Sequence, residues 1–314
     1  PLLQRLRGIR QLGVAHWTYT GATHTRLEHT LGVLHQVQAL VDSLNKRHRE
    51  LVISAEMTNL LRLTALCHDI GHGLMSHVSE NALRRFDELQ QLSLEFQDEH
   101  RGYRAKLSEI AAVFMIDSAG FLELFEAAKA AARQFDFPAN AIALMQKAVI
   151  GAPISDEFPL LHELVNGPFD ADKLDYMTRD ATAAGVPVVT DIPRLIHKVR
   201  AQRVPERRLP PRIAKTVSAG LPSYTVTGIA MSGARTLDEL MLGRILLFDK
   251  IYRHQKVRAA EAMVSCIIDL LAELLPNSVL ELPYLFTDEQ LIGLTLDELR
   301  RRRGHVFDDK QQSF

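Results

Sequence analysis

A mostly α-helical fold with one small β insert is what this sequence predicts, and three features predict it. Apolar residues recur at three- and four-residue spacing over most of the chain. Helix-opening and helix-closing signals bracket those runs. The texture changes between Val186 and Met231, where Pro187, Pro193, Pro205, Pro210, Pro211 and Pro222 interrupt helices. Within that stretch Tyr224-Thr225-Val226-Thr227-Gly228-Ile229-Ala230-Met231 has the β-branched and aromatic composition of a strand or hairpin.

The first periodic run, 31–44, predicts a helix burying Leu31, Leu34, Val37, Val41 and Leu44. The run 58–68 continues with Leu60, Leu61, Leu63 and Leu66, and 107–114, 121–132 and 140–150 are further helical runs. In 165–182, Asp172, Asp175, Tyr176, Arg179 and Asp180 lie three or four apart and so share a helix face. Thr236-Leu237-Asp238-Glu239 has the capping-box order and predicts a long helix through Arg244, Tyr252 and Met263. Thr287-Asp288-Glu289-Gln290 opens another, ending at Arg300-Arg301-Arg302-Arg303 before Gly304, where basic side chains suit the helix dipole. The expected organisation is a helical core with the chemistry in 1–185, a Pro-rich segment with short strands in 186–235, and C-terminal helices in 236–314 completing one compact unit.

The chain has 314 residues and is 46% hydrophobic, enough for a sizeable core. Its net charge of -1 gives no global attraction for nucleic acid, so any affinity for phosphates must be local. Cys67 and Cys266 lie far apart without metal-type spacing, which points to free thiols, a reducing compartment and a cytoplasmic location. No signal peptide or bilayer-length apolar run is visible, so no membrane partner is expected. The first residue is Pro1 rather than Met, which marks the sequence as an expected piece of a longer chain.

The chemistry concentrates in Leu66-Cys67-His68-Asp69-Ile70-Gly71-His72-Gly73. The adjacent His68 and Asp69 offer a borderline nitrogen and a hard oxygen from one turn of backbone. His29 upstream and Asp172 downstream complete a set of two imidazoles and two carboxylates, with positions left for water and substrate. Such a mixed set suits a divalent Fe, Mn, Zn or Mg ion, and ligand type does not choose among them. Any one of these residues alone would be read as structural; the four in this order are read as a metal site. His72 and His77 are candidates for acid–base work near neutral pH. Arg26, Lys173, Tyr176, Arg244 and Tyr252 are the phosphate-binding candidates, since arginine forks and lysine point charges suit phosphate oxygens.

His29, His68-Asp69 and Asp172 resemble the H…HD…D signature of the HD-domain metal-dependent phosphohydrolases. The likeness extends to the deoxynucleoside triphosphate (dNTP) triphosphohydrolases of that group, both the sterile-alpha-motif/HD-domain enzymes of animals and the bacterial dGTPase-like enzymes. It is carried by Gln4-Arg5-Leu6-Arg7-Gly8-Ile9-Arg10-Gln11-Leu12-Gly13, by Thr25-Arg26-Leu27-Glu28-His29-Thr30, and by Cys67-His68-Asp69-Ile70-Gly71-His72-Gly73-Leu74-Met75-Ser76-His77. Asp170-Ala171-Asp172-Lys173-Leu174-Asp175-Tyr176 and the stretch from Arg244 to His254 continue it. The resemblance implies an HD-domain helical bundle that hydrolyses a dNTP to a deoxynucleoside and inorganic triphosphate. It implies that Gln11 and Leu12 border the deoxyribose, with Gln11 near the 3′-hydroxyl and Asp180 facing the sugar hydroxyl. Arg26, His72, His77, Lys173 and Tyr176 would hold the triphosphate, and Arg244 and Tyr252 would close the pocket. Leu12 and Tyr252 would disfavour a 2′-hydroxyl. A homo-oligomer and an allosteric nucleotide are implied as partners.

One departure stands out. Ser108-Glu109 occupies the place of the family's usual His-Glu pair, which leaves Glu109 as a catalytic candidate and His72, His77 or His100 as substitutes for the imidazole. A serine cannot protonate a leaving group as an imidazole can. The alternatives this opens are an HD-type phosphodiesterase or nucleotidase, and a weakly active or inactive nucleotide-sensing regulator.

Overall fold

The computed structural model describes residues 2–48, 52–100, 103–188, 190–274, 284, 286–293 and 295. Among these, everything regular is helical except one pair of strands. After a short α1 (Leu2–Arg5), the long α2 (Arg26–Arg47) begins earlier than the periodicity predicts. A reciprocal capping box explains this: the Glu28 amide donates to the Thr25 hydroxyl, and the Thr25 amide donates to Glu28 Oε2 at 2.6 Å. The buried stripe is Leu27, Val33, Val37, Leu40, Val41 and Leu44, and Leu31 is 53% exposed, so the expected place of Leu31 in the core is corrected.

The next helix, α3 (Ala55–Cys67), is capped by Ser54 and packs on α2. It delivers His68 and Asp69 at its C-terminal end. Next come α4 (His77–Leu83), α5 (Asp87–Glu99), α6 (Leu107–Asp117), α7 (Ala119–Ala131), α8 (Ala141–Val149) and α9 (Leu160–Glu163). The helix carrying the second acidic cluster is α10 (Ala171–Ala184). It starts later than expected because Asp170 caps it, accepting from the Lys173 amide at 2.8 Å, and it stops at Gly185 with φ 65°.

The β insert is there but is wider than the one predicted. After α11 (Ile192–Lys198), strand β1 (Val199–Val204) pairs antiparallel with β2 (Tyr224–Ile229), Val199 opposite Ile229 and Val204 opposite Tyr224. Between them lies α12 (Pro211–Ala214). The pair docks on the core through the Thr225 and Thr227 amides, which donate to the Glu157 carbonyl and to Glu163 Oε2, both at 2.8 Å.

The long helix expected from Thr236 is two helices. The first, α13 (Ala234–Leu247), starts at the Gly233 cap, where a Cβ would meet Lys198 at 2.6 Å. Thr236 is buried inside it, not at its start. A π-helical turn (Phe248–Tyr252) follows, and α14 (Gln255–Leu274) begins afresh. The break has a tertiary cause: the Tyr19 hydroxyl donates to the Lys250 carbonyl, and the Tyr252 hydroxyl donates to Asp180 Oδ2 at 2.6 Å. The last described helix, α15 (Asp288–Ile292), has the predicted Thr287–Gln290 capping box; its expected continuation to Arg300–Arg303 lies outside the described residues.

The main core runs from Leu6 and Val37 through Leu195 and Val199 to Leu247 and Val257. A second cluster joins Val14, Met75, Val78 and Ala82 to Val264, Ile268 and Leu271 of α14 and to Phe286. It fixes α4 beside the metal-type residues. Cys67 is buried and Cys266 exposed, both as free thiols, and burial pushes the Cys67 thiol up to about 12. No helix among the described residues is long and apolar enough to cross a membrane.

Candidate active site

Three helices converge on the metal-type residues. The ligand atoms of His29 on α2, His68 at the end of α3 and Asp172 on α10 all lie within 4.8 Å of one another. Asp69 stands beside them, its Oδ1 3.4 Å from His68 Nε2 and its Oδ2 3.8 Å from His29 Nε2. The imidazoles are prepared as ligands. His29 Nδ1 faces Asp175 Oδ2 at 2.8 Å and His68 Nδ1 faces the Ala65 carbonyl at 2.6 Å, so each Nδ1 carries the proton. His29 Nε2 then faces Asp172 Oδ1 at 2.9 Å, and His68 Nε2 is buried without a hydrogen-bond partner. Two buried imidazole nitrogens facing two carboxylates, with His68 Nε2 left unpaired, are what a divalent cation satisfies, so the residues fit the ion.

Electrostatics supports the same assignment. Burial disfavours the charge of Asp69, but Arg26, His68, His72 and His29 outweigh it and hold the carboxyl well below its usual range. Asp172 is likewise lowered against its burial, mainly by His29. For His29 the carboxylates of Asp172 and Asp175 overcome burial and raise the imidazole to about 10, so a bound cation would take the place of the proton that Nε2 shares with Asp172. Gly32 makes the His29–Asp175 contact reachable: a Cβ there would collide with the Asp175 carboxylate and the Arg179 guanidinium. Arg179 in turn grips Asp175 with bonds of 2.8 and 2.9 Å.

Over this set opens a cavity of about 520 Å³. Its walls include Gln11, Leu12, Arg26, Asp69, His72, His77 and Asp172. Lys173, Tyr176, Asp180, Arg244 and Tyr252 line it as well. The turn before α4 is strained, with Met75 and Ser76 both at φ 54°. It is pinned by Asp288 of α15, whose carboxylate accepts from the Met75 amide at 2.6 Å and the Arg10 amide at 2.7 Å. Arg5 holds the other side of the loop through the Ile70 and His72 carbonyls, at 2.5 and 2.7 Å.

Comparison with known proteins now bears on this geometry. A family model described as "HD domain" matches residues 26–157, the stretch that contains His29, His68 and Asp69. The deoxynucleoside triphosphate triphosphohydrolase SAMHD1 of Danio rerio is 31% identical over 230 residues, 66% of this chain and 34% of the relative. Its Homo sapiens counterpart is 29% identical over 65% of this chain and 33% of its own. The chain belongs to the HD-domain family, among the relatives of the dNTP triphosphohydrolases. The uncharacterized protein YwfO of Bacillus subtilis is 28% identical over 84% of this chain and 49% of that protein. A crystal structure of a hypothetical protein from Aquifex aeolicus superposes with a TM-score of 0.64 at 25% identity, covering 93% of this chain and 64% of that one. The chain thus spans between a third and a half of the length of these curated relatives.

Within this HD-domain centre the predicted residues divide by what they already hold. Arg26, 2% exposed, donates to Asp69 Oδ2 at 2.5 Å and Ser76 Oγ at 2.8 Å, leaving Nη2 buried and unpaired. Gln11 Oε1 is also buried and unpaired. His77 Nδ1 faces Glu80 Oε2 at 3.2 Å, so its Nε2 is the free nitrogen. His72 is held well below its usual range by burial and by Arg26, and stays neutral.

Other residues already hold protein partners. Lys173 Nζ turns back to Asp170 Oδ2 at 2.6 Å and the Gly167 carbonyl at 2.9 Å. Asp180 uses both oxygens on protein partners, the Tyr252 hydroxyl at 2.6 Å and His24 Nε2 at 2.8 Å. It therefore holds Tyr252 in place, with a further lone pair on each oxygen, and it lines the cavity. Glu109 is not among the cavity residues; it accepts from the Lys106 amide at 2.8 Å and caps α6. Ser108 is 4% exposed with its Oγ unpaired, and its carbonyl packs against Gly71. His100 stacks on Phe96 at 3.9 Å and is not among the cavity residues.

Sequence reasoning missed Glu80, Arg84, Lys106, Arg253 and Arg258, all on the cavity wall. Glu80 had a signal, its place three residues after His77 on one helix. Lys106 had none, because its position depends on how α6 seats against the His68–Gly73 turn.

Proposed function

We propose that this chain hydrolyses deoxynucleoside triphosphates to the deoxynucleoside and inorganic triphosphate with a divalent ion held by His29, His68, Asp69 and Asp172. The observation that carries the reading is one cavity that Asp69 and Asp172 of the metal-type set line, with His29 and His68 behind them, and whose walls combine phosphate-type cations with unpaired Gln11, Leu12 and Tyr252. When bound, the ion supplies Lewis acidity to a phosphoryl oxygen and to water. The residues around it do the rest. Arg26 Nη2 and the neutral His72 bind phosphate oxygens. His77, oriented by Glu80, gives a proton to the departing nucleoside oxygen through Nε2. Gln11 Oε1 accepts from the sugar hydroxyl, and Tyr252, fixed by Asp180, closes on the sugar face. The names of the SAMHD1 relatives support the substrate class.

The test is incubation of the purified chain with each dNTP and Mn²⁺ or Mg²⁺, with chromatographic detection of deoxynucleoside and triphosphate. Asp69→Ala is expected to lose bound metal and turnover together. Full metal occupancy in that variant would contradict the ligand assignment. Release of phosphate or pyrophosphate in place of triphosphate would favour the phosphodiesterase or nucleotidase reading, and tight dNTP binding with no turnover would favour the regulator.

A further inference from the structure

The cations of the cavity are mostly committed to protein partners. Arg26 is bound to Asp69 and Ser76, Lys173 to Asp170, and Arg84 Nη2 to Glu80 Oε1 at 3.0 Å. Arg258 pairs with Glu261, Arg244 and Arg253 lie over the Phe248 ring, and Lys106 has only a loose carboxylate partner. It is the residue that precedes α6, and it reaches the cavity wall because α6 seats directly on Gly71, where a Cβ would collide with the Ser108 carbonyl and the Ala112 amide. Its ammonium stands 3.5 Å from Glu109 Oε1, beyond a good charged hydrogen bond, and its side chain is 55% exposed. The carboxylates of Asp172, Glu80 and Asp69 line the same cavity and act on the ammonium through space.

We infer that Lys106 is a further phosphate-contacting residue of this active site, its ammonium closing on non-bridging oxygens of the substrate's phosphate chain. This rests on the proposed function for the substrate, but its geometry stands independently of Ser108. The role is that of a fixed charge and not of a proton donor. Burial works against its charge, yet Glu109, Asp172, Glu80 and Asp69 outweigh it and hold the ammonium above its ordinary value, so it keeps its proton at neutral pH. A flexible point charge suits a polyphosphate whose charge shifts as the bond breaks. The competing account is an exposed Lys106–Glu109 pair three residues apart on a helix end, which contributes little to anything. That account predicts a silent Lys106→Ala.

Two measurements on the full chain with Mn²⁺ decide between them: calorimetric titration with inorganic triphosphate, and steady-state dNTP hydrolysis. In Lys106→Ala, triphosphate binding and kcat/KM are each expected to fall about 10- to 100-fold, the scale of a lost charge-assisted hydrogen bond. Lys106→Arg should restore most of the loss, and bound manganese should be unchanged. If Lys106→Ala lowers the melting temperature, Lys106→Gln, which keeps the length, carries the same comparison. Equal triphosphate affinity in the wild type and the neutral variants overturns the inference. A wild type that binds triphosphate through Lys106 but releases none from any dNTP overturns the proposed function and leaves the Lys106 assignment standing.

Discussion

His29 shows how much of this site depends on atoms that never touch an ion. Its Nε2 is turned toward Asp172 because its Nδ1 is spent on Asp175, and Asp175 is aimed by Arg179. Outer partners of this kind set the tautomer and the ring angle of a ligand, and their loss commonly lowers metal affinity about 10- to 100-fold. Asp175→Asn keeps the volume but lets the amide present an N–H to the ring. It is expected to weaken Mn²⁺ or Fe²⁺ binding on that scale while the fold stays intact, as read by metal titration and circular dichroism. Undiminished affinity would remove Asp175 from the account. The residue-scale chemistry was partly legible in the sequence. His68-Asp69 announces itself because the two ligand types are adjacent. Asp175 was placed on the right face of α10 by spacing but was not linked to His29. Their partnership spans two helices and requires Gly32, and no local pattern encodes it.

At the scale of elements, the glycines decide which helices can meet. The approach of α6 to Gly71 leaves no room for a side chain, and the contacting atoms on α6 are backbone, which cannot rotate away. Gly71→Ala is therefore expected to push the start of α6 outward, costing about 1–3 kcal/mol in stability. It should also withdraw Lys106 from the cavity, so triphosphate affinity falls with stability. Denaturant unfolding and calorimetry on one variant check both, and a variant with wild-type stability would show that α6 does not seat as described. Element boundaries were legible where a local signal and a tertiary need agreed, as at Thr287–Gln290. They were not where tertiary contacts overrode the signal. Thr236 heads a capping-box sequence, yet Gly233 starts α13 because the backbone must pass close to Lys198 there. The helix after it breaks near Tyr252 without proline or glycine, because Tyr19 and Asp180 claim groups from the far side of the site. Leu31 was misassigned to the core because three- and four-residue spacing fits more than one stripe of a helix, and only the packed partners choose.

At the scale of the molecule, buried ionisable groups away from the active site tie stability to pH. His162 on α9 is 2% exposed, with Nδ1 unpaired, and it lies near Arg212, whose guanidinium reaches Glu163 beside it at 3.4 Å. Burial first, and Arg212 second, push the imidazole down to about 3 from an ordinary 6.5. In the unfolded chain the same imidazole takes up a proton near its ordinary value. The unfolded state therefore binds a proton that the folded state refuses over the window from about 6.5 down to about 3. The neutral histidine costs nothing above that window, and stability falls as pH drops into it, with a limiting slope of about 1.4 kcal/mol per pH unit for one proton. His162→Gln removes the titration while keeping a polar side chain of similar reach. The wild type is expected to lose denaturation midpoint steadily between pH 7 and pH 5, and the variant to lose measurably less over the same interval. Parallel pH profiles for the two proteins would mean that His162 protonates as readily folded as unfolded, and that the packing of α9 under the β1–β2 pair is looser than its burial implies.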